Sequence, residues 1–437
     1  MFQILKGSKG NVLGSVAIIL CLLTLGIFAG CGSDSDFPVP VPKILPKIFK
    51  ILVPDGVTTN PAVAVPSGIS EDGAVVVGTI FAFLPAEVWV PASGFKWTLT
   101  GGLTLIDDVP GYEDFVTVAN ATNSDGSVII GYVDDILNDQ LVSWVWSDEK
   151  GYQIIPAPEG VTQCMVHDVT ADGAIVLGSY LIEEEPDNEV RHLFIWSEEE
   201  GFVPLDVGYD GVQVLPVGIA DDGLTIAYNC LSMDRDCNPE GTWTLQSQSR
   251  DWTSRDGKPY VKIAPPIELT ENAFWASDLT TTEFGIYSSH SGDLLDMGGY
   301  ILKDALEVSS LMHPALWMAR QGQLNMLTGF GWLGCTTCVS PDGTWAGFTS
   351  HFMVGTAWPY VWSATYGIKD LYELMCHSDE TLGSNLMVAF NEGENFIPTY
   401  LMGFSADNDK VVGVKFNDGG QGEMFGFMIE NFGRLVQ

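Results

Sequence analysis

The sequence predicts an all-β fold from three observations: a recurring turn phrase, short β-branched runs, and a tryptophan-bearing strand after each phrase. The first copy, residues 69–78, reads ISEDGAVVVG, and its Asp-Gly pair separates two apolar runs. A tight turn needs a positive φ angle at its centre, which Gly adopts without a Cβ clash. Runs such as Val-Val-Val-Gly are too short for helices and suit buried strands. Each phrase therefore predicts a strand, a two-residue turn and a second strand, with the Asp as a turn former.

The phrase recurs in order along the chain. Its copies are residues 69–78, 122–131, 169–178, 219–228, 339–347 and 404–413, and Asn408 takes the Gly position in the last. The early copies follow one another at intervals of roughly 50 residues, a period found in repeat folds. The longer interval before residue 339 has room for another unit, and residues 274–287 are predicted to be its degenerate turn. The sequence therefore predicts seven units.

Two more signatures follow each phrase. The first is an aromatic strand position, at Trp97, Trp146, Trp196, Trp243, Trp317, Trp362 and Phe427. The second is a Gly-led strand, at residues 101–106, 151–155, 201–205, 322–327, 367–371 and 433–436. Four antiparallel strands repeated at this period predict a seven-bladed β-propeller of four-stranded antiparallel blades over residues 48–437. We expect the tryptophans to pack between blades, and strand 48–52 to close the ring against residues 427–437.

These repeats resemble the HAF-type extracellular repeat family. They are more distantly similar to the repeats of TolB-like and WD40-like propellers, which the copy Ser340-Pro-Asp-Gly343 resembles most. The resemblance covers about residues 48–437 and implies a repeat scaffold whose partners vary from one protein to another.

The N-terminus is similar to a bacterial lipoprotein signal. A basic start with Lys6 and Lys9 precedes an apolar run, which ends in Ala29-Gly30-Cys31. The resemblance implies a signal peptide over residues 1–30 and lipidation of Cys31, with Phe28 departing from the usual Leu. An uncleaved membrane anchor is the alternative. Residues 31–47 form an acidic, Pro-rich tether. The predicted location is the cell envelope, at an outer membrane or the cell surface of a bacterium.

The formal net charge of −37 excludes one class of partner. Such a negative field repels nucleic-acid phosphates, so we expect no nucleic-acid partner. Solubility outside the cell explains the charge, and binding of cations or basic partners is the sharper alternative. We expect a monomer, attached to the membrane through its N-terminal lipid.

Cysteine usage predicts disulfide bonds. Beyond the signal and Cys31, the cysteines are Cys164, Cys230, Cys237, Cys335, Cys338 and Cys376. An even number outside the cytoplasm favours disulfides. Cys230 and Cys237 flank a short loop and form the first predicted pair. Cys335 and Cys338 are predicted to bond to each other, or to Cys164 and Cys376. A redox motif or half of a metal site is the alternative for Cys335-Thr-Thr-Cys338.

Two weaker site candidates remain. Asp234, Asp236, Asn238 and Glu240 stand at alternating positions, and oxygen ligands at that spacing can bind Ca²⁺. The loop lacks the Gly and distal Glu of an EF-hand, so a plain acidic loop is the alternative. His167 and Asp168 precede a turn on a predicted inner strand, where they could act as a general base in the central channel. A satisfied or surface histidine is the alternative.

The sequence favours a binding scaffold over an enzyme. We expect a lipid-anchored, extracytoplasmic propeller that binds a protein or an envelope glycan, with residues 180–188 and 375–396 as candidate binding loops. The alternative is a propeller hydrolase or lyase with carboxylates in its central channel. A structural array protein with no discrete ligand is a third interpretation.

Overall fold

The computed structural model describes residues 47–434, except residues 59, 85–87, 136–139, 186–187, 206, 208–211, 233–238, 247–259, 263–272, 277–287, 292–293, 303–311, 319–322, 328–333, 352–356, 372–373, 375–398 and 416–423. The predicted signal peptide, Cys31 and nearly all of the tether therefore lie outside the described residues.

The described chain is built almost entirely of β-strands, and the first half follows the predicted order. Strand β1 (Lys47–Ile51) comes before the repeats. Unit 1 contains β2 (Ala62–Ile69), β3 (Val75–Leu84), β4 (Val88–Thr98) and β5 (Gly102–Ile106). Unit 2 contains β6 (Val116–Thr122), β7 (Val128–Asp135), β8 (Gln140–Ser147) and β9 (Gly151–Ile154). Unit 3 contains β10 (Val161–Val169), β11 (Val176–Glu185), β12 (Asn188–Ser197) and β13 (Gly201–Leu205).

The second half repeats the same pattern. Unit 4 contains β14 (Val212–Ile219), β15 (Thr225–Ser232), β16 (Pro239–Gln246) and β17 (Tyr260–Lys262). Unit 5 contains β18 (Ala273–Ala276), β19 (Ser288–Ser291), β20 (Leu294–Leu302), β21 (Met312–Met318) and β22 (Gln323–Met326). Unit 6 contains β23 (Gly334–Val339), β24 (Trp345–His351), β25 (Ala357–Ser363) and β26 (Gly367–Asp370). Unit 7 contains β27 (Thr399–Phe404), β28 (Lys410–Lys415) and β29 (Phe425–Glu430), followed by a 3-10 helix, Phe432–Arg434.

Consecutive strands pair antiparallel within each unit, except in unit 5, where β18 and β19 both pair with β20. Units 2 and 3 are joined into one eight-stranded sheet by a single parallel pair, Gln163 with Leu141. Because strand direction alternates, the turns after the first and third strands of a unit lie at one edge of its sheet. We call this the turn edge. The connections after the second and fourth strands lie at the opposite edge.

The Asp-Gly turns have the predicted backbone but a longer loop. The φ angles are positive at Gly73 (64°), Gly126 (72°), Gly173 (71°), Gly223 (71°), Gly343 (67°) and Asn408 (57°). In unit 1 the Gly73 amide donates to Ser70 O at 2.8 Å, which closes a four-residue turn. Asp72 Oδ1 accepts from Ser70 Oγ at 2.6 Å and from the Ala74 amide at 2.8 Å. The Asp is therefore a turn former, and the loop is residues 70–74 rather than two residues.

The last Gly of the phrase makes room for an aromatic ring on the third strand. Gly131 pairs with Trp144 across β7 and β8. A Cβ on Gly131 would lie 2.0 Å from Val118 O and 2.4 Å from the Trp144 ring. The equivalent cross-strand pairs are Gly78 with Phe95, Gly178 with Phe194, and Gly413 with Phe427. This pairing fixes the register of the sheet in four units.

The register corrects the sequence alignment of units 4 and 7. Trp243 pairs with Tyr228, and Phe427 pairs with Gly413, so both stand at the position of Phe95. Leu245 and Ile429, two residues later, take the position that Trp97 holds in unit 1. The alignment of Trp243 and Phe427 with Trp97 is therefore wrong, because residue type alone carries no information on cross-strand pairing.

Unit 5 corrects the predicted degenerate turn. β18 and β19 both pair with β20, at opposite ends of it. Residues 274–276 of the predicted turn belong to β18, and residues 277–287 lie outside the described residues. The strand that precedes β20 in the chain is β19, and residues 292–293 separate the two in the sequence. Those two connecting residues are Gly and Asp, in reversed order, which a search for Asp-Gly missed.

The two ends of the described chain meet in one sheet, as predicted. β1 pairs antiparallel with β29, from Lys47 opposite Glu430 to Ile51 opposite Gly426. Ile51 is fully buried in a cluster with Val63 of unit 1 and Met428. β1 thus supplies the fourth strand of unit 7. The strand predicted at residues 433–436 is wrong in that position, since residues 432–434 are a 3-10 helix.

Neighbouring units pack face to face, with tryptophans between them. Trp97 of unit 1 lies in a buried cluster with Met402 of unit 7. Trp196 of unit 3 lies in a cluster with Val145 of unit 2. Trp146 packs against a cluster that joins units 1 and 2, and Trp362 packs against one that joins Leu327 to unit 6. The prediction that these tryptophans belong to the core between units is confirmed at these four positions.

Substituting Ala for Gly131 should lower the free energy of unfolding by about 3 kcal/mol, because its Cβ would overlap a carbonyl oxygen and a buried ring. Gly151→Ala is the matched control, since nothing lies within 4 Å of its Cβ position and the cost is its positive φ of 69°. That strain costs about 1 kcal/mol. Urea unfolding measures both, and equal losses would contradict the cross-strand pairing.

Removing residues 1–53 should lower the free energy of unfolding by at least about 3 kcal/mol, because Ile51 leaves the core and the edge of β29 is exposed. Removing residues 1–45 is the control and should leave the unfolding curve unchanged. Matching thermal denaturation curves for the two deletions would contradict closure of the last sheet by β1.

Candidate functional site

The first strands of the units form the inner ring of the fold. β2 contacts β6 and β27, β10 contacts β6 and β14, and β23 contacts β27. In unit 5 this role falls to β19, which contacts β14 and β23. In six of these strands the pairing register with the second strand shifts at the same place, shortly before the turn. The shifts fall at residues 66–68, 119–121, 166–168, 216–218, 336–338 and 401–403.

Side chains at the shifted positions link neighbouring units. Ser67 Oγ donates to Ala119 O of unit 2 at 2.6 Å. Asn120 Nδ2 donates to Val166 O of unit 3, also at 2.6 Å. These polar groups satisfy the backbone of the next inner strand, so the inner ring is held by hydrogen bonds as well as by apolar packing.

His167 occupies the equivalent position in unit 3 and is buried. Its Nε2 lies 3.0 Å from Ser179 Oγ, which also accepts a hydrogen bond from Arg191 Nη1 at 3.1 Å. Burial and the nearby Arg191 guanidinium lower the pKa of His167 to about 3. The imidazole is therefore neutral at neutral pH. Its Nδ1 has no hydrogen-bond partner among the described residues.

Asp168 is used in a contact between units. Its Oδ1 accepts from the Val169 amide at 2.9 Å, and its Oδ2 accepts from the Ile219 amide of unit 4 at 2.9 Å. The two predicted site residues are thus adjacent in sequence but have different partners. His167 bonds within its own sheet and Asp168 bonds the next sheet, so the structure does not assemble them into a catalytic pair.

The inner strands carry few ionisable groups. Along the described strands β2, β6, β10, β14, β18, β19, β23 and β27, Asp168 is the single carboxylate, and the histidines are His167 and His290. A glycosidase-type mechanism needs two carboxylates across one bond. The described inner strands supply one, and the Ile219 amide already engages it.

The predicted disulfides are absent from the described part of the chain. Cys164 and Cys338 are free, buried thiols. This corrects Cys335–Cys338, and residues three apart along β23 are about 10 Å apart, too far for a disulfide. The pairing of Cys230 with Cys237 stays a prediction, because Cys237 lies outside the described residues. Burial raises the pKa of Cys338 to about 12, so it is not a reactive thiol.

The calcium candidates are largely untested. Asp234, Asp236 and Asn238 lie outside the described residues, and Glu240 belongs to β16. In the part of the chain that is described, no group of three or more His, Cys, Asp or Glu residues could hold a metal ion. Within that same part, no helix has the length and apolar character needed to cross a bilayer.

A groove of about 620 Å³ opens between units 2 and 3, at their turn edge. Its apolar wall includes Val128, Val145, Ile175 and Trp196. Six carboxylates and one lysine line the rest: Asp148, Glu149, Asp172, Glu198, Glu199, Glu200 and Lys150. Lys150 Nζ bonds Glu198 Oε2, and Gln153 Nε2 donates to Glu198 Oε1 at 2.6 Å.

Sequence reasoning missed this groove, together with Ser179 and Arg191 beside His167. The signal for the groove was present, since the turns after β8 and β12 are both acidic and stand at equivalent repeat positions. This shared position is not recognised when each acidic residue is treated as a separate solvated charge. Ser179 and Arg191 gave no signal, because their contact with His167 depends on cross-strand register.

Comparison with known proteins supports the fold. No known family matches the sequence, and no curated protein matches it. The chain is similar to oligogalacturonate lyase from Vibrio parahaemolyticus, with 10% identity and a TM-score of 0.50 over 89% of this chain and 97% of that one. The β-propeller domain of the Trilobed protease from Pyrococcus furiosus matches with 13% identity and a TM-score of 0.47, over 83% and 95% of the two chains.

TolB from Acinetobacter baumannii is a more distant match, with 11% identity and a TM-score of 0.42 over 68% of this chain and 63% of that one. The described part of the chain is all-β, and its structural neighbours include a β-propeller domain and TolB. Similarity at such identities concerns the fold alone, because unrelated functions share propeller folds. The lipoprotein and HAF-repeat resemblances gain no support from these comparisons.

His167 should make the protein sensitive to acid. Its folded pKa of about 3 is below the unfolded value of about 6.5. The folded state therefore resists protonation, and stability present above pH ~6.5 is lost as the pH falls towards ~3. Between pH 7.5 and 4.5 we expect the wild type to lose about 2–3 kcal/mol more than His167→Gln in urea unfolding.

Asn120→Ala is the control for this measurement, since Asn120 holds the equivalent position without a titrating group. It should lower stability by the same amount at both pH values. Parallel pH profiles for the wild type and His167→Gln would contradict a buried neutral imidazole.

Proposed function

We propose that the protein is a lipid-anchored, extracytoplasmic scaffold that binds a protein or an envelope glycan. In this proposal its seven units are the blades of a seven-bladed β-propeller, and Cys31 carries the lipid. The location is the bacterial cell envelope, at the outer membrane or cell surface.

The use of polar groups on the inner strands is the observation that carries this proposal. Ser67, Asn120 and Asp168 bond the backbone of the neighbouring unit, so their donors and acceptors are committed to holding the ring together. His167 is buried and neutral. An enzyme would need accessible, paired acid and base groups, and the described inner strands give no such pair. The geometry therefore favours a rigid scaffold that contacts its partner through its surface.

The edge opposite the turns supplies the second line of support. Residues 180–188 belong to β11 and β12 except for residues 186–187, so they are not the loop that the sequence predicts. Residues 375–396 fall between β26 and β27 in the sequence and remain the candidate binding segment. The repeat does not constrain the residues of such connections. Binding residues are commonly carried by loops on a rigid scaffold.

Replacing residues 375–396 with a short Gly-Ser segment should abolish retention of the partner from an envelope extract by the full-length lipidated protein. Replacing residues 156–160, an exposed connection between units 2 and 3 at the same edge, is the control and should leave retention unchanged. Glycan digestion of the extract separates a glycan partner from a protein partner.

Shortening of envelope glycans by the purified protein, abolished by Asp168→Asn, would contradict the binding proposal in favour of the hydrolase or lyase alternative. Equal retention by all three proteins would remove the loop at residues 375–396 from the proposed surface.

A further inference from the structure

The junction between units 1 and 2 contains a cation supplied by the chain itself. Lys96 lies on β4 of unit 1, and its Nζ is 3.5 Å from Asp148 Oδ2 of unit 2. The same ammonium lies over the ring of Trp146, 5.0 Å from its centroid. An aromatic face and a carboxylate therefore hold one positive charge at this junction.

The repeat places the same two groups at the next junction. Phe95, Trp144 and Phe194 are equivalent, because each pairs with the last Gly of its phrase. Counting along the chain from these three residues gives the equivalent repeat positions. Trp146 corresponds to Trp196, Asp148 to Glu198, and Lys96 to Val145. The junction between units 2 and 3 thus repeats the ring and the carboxylate but has Val in place of Lys.

The groove of about 620 Å³ lies at this second junction. Trp196, Glu198 and Val145 all line it, together with the further carboxylates of Glu149, Glu199 and neighbouring residues. Glu198 already binds one ammonium, that of Lys150, and hydrogen bonds from Lys150 and Gln153 lower its pKa. The groove therefore attracts cations electrostatically and has the volume of a ligand site.

We propose that the groove between units 2 and 3 binds a lysine or arginine side chain of a partner polypeptide, in the place that Lys96 takes between units 1 and 2. The cationic group lies against Glu198 and the face of Trp196, and the methylene stem packs on Val145 and Ile175. This deepens the proposed binding function and rests on it. The six lining carboxylates favour a basic partner over an acidic one.

Charge and apolar surface together point to a polypeptide rather than a free polyamine. The wall formed by Val128, Val145, Ile175 and Trp196 is apolar, and a peptide with alternating basic and apolar side chains matches both halves of the groove. A polyamine would use the carboxylates but has no apolar side chains to pack on that wall.

The test uses the full-length protein and an end-capped fluorescent peptide, Lys-Leu-Lys-Leu-Lys, with binding followed by fluorescence anisotropy. We expect binding that weakens as ionic strength rises. The same peptide with acetylated lysines has lost its charges and should not bind. Equal binding of the acetylated peptide would overturn the proposal. So would displacement of the peptide by spermine at lower concentrations than unlabelled peptide requires.

Two sets of variants locate the site. The triple variant Glu149→Gln, Glu199→Gln, Glu200→Gln removes exposed carboxylates of the groove and should weaken peptide binding about tenfold. The control triple Asp55→Asn, Asp114→Asn, Glu159→Gln removes as many exposed carboxylates from the opposite edge and should bind normally. Equal weakening by both triples would show a general effect of net charge and overturn the proposal.

Val145→Lys tests the equivalence with Lys96 directly. The introduced ammonium should occupy the site from within the chain and weaken peptide binding at least tenfold. Because Val145 is buried, its circular dichroism spectrum is compared with that of the wild type, and the Gln triple decides the question if folding is lost. A folded Val145→Lys protein with wild-type affinity would overturn the proposal.

Retention of the envelope partner is the measurement that distinguishes this proposal from the binding function itself. Equal retention of the partner by the wild type and the Gln triple would leave the binding function intact and overturn the assignment of its partner to this groove. Peptide binding at the groove without any retained partner would overturn the envelope function and leave the cation site standing.

Discussion

The contact between successive Asp-Gly turns is the constraint on which the rest of the fold depends. The Glu71 amide donates to Ser124 O of unit 2 at 2.8 Å, and Glu71 O accepts from the Ala406 amide of unit 7 at 2.7 Å. A Cβ on Gly126 would lie 2.4 Å from the Val75 side chain of unit 1. At Gly126 the turn must therefore be both left-handed and free of a side chain. The turn residues thus take part in the contact between units as well as in the hairpin.

This constraint explains why the inner strands offer little chemistry. A ring held by turn-to-turn bonds at one edge needs further bonds along its inner strands to satisfy the remaining backbone groups. Ser67, Asn120 and Asp168 provide them. A side chain committed to a neighbouring backbone cannot also change protonation state without loosening the ring. Function is then left to residues outside the repeated contacts, on connections and at junctions where the repeat varies.

The sequence predicted the elements that depend on local chemistry. The positive φ at Gly73 and at Asn408, the strand order, and the pairing of β1 with β29 all follow from turn residues and alternation. The sequence did not predict the features that depend on the pairing register between strands. Trp243 was aligned with Trp97, although cross-strand pairing gives that position to Leu245. The surroundings of His167 were not predicted for the same reason, since Ser179 on β11 and Arg191 on β12 reach it through cross-strand register.

The same logic shows where specificity can arise in a repeat fold. Two junctions share a tryptophan and a carboxylate, and Lys96 in one stands at the position of Val145 in the other. Where the chain supplies the cation, the junction is satisfied internally and contributes to packing. At the second junction Val145 takes the place of Lys96, Glu198 binds Lys150 instead, and the ring and carboxylate border a groove with an excess of negative charge. A change of side chain at one repeat position thus accompanies the change from a closed junction to an open groove.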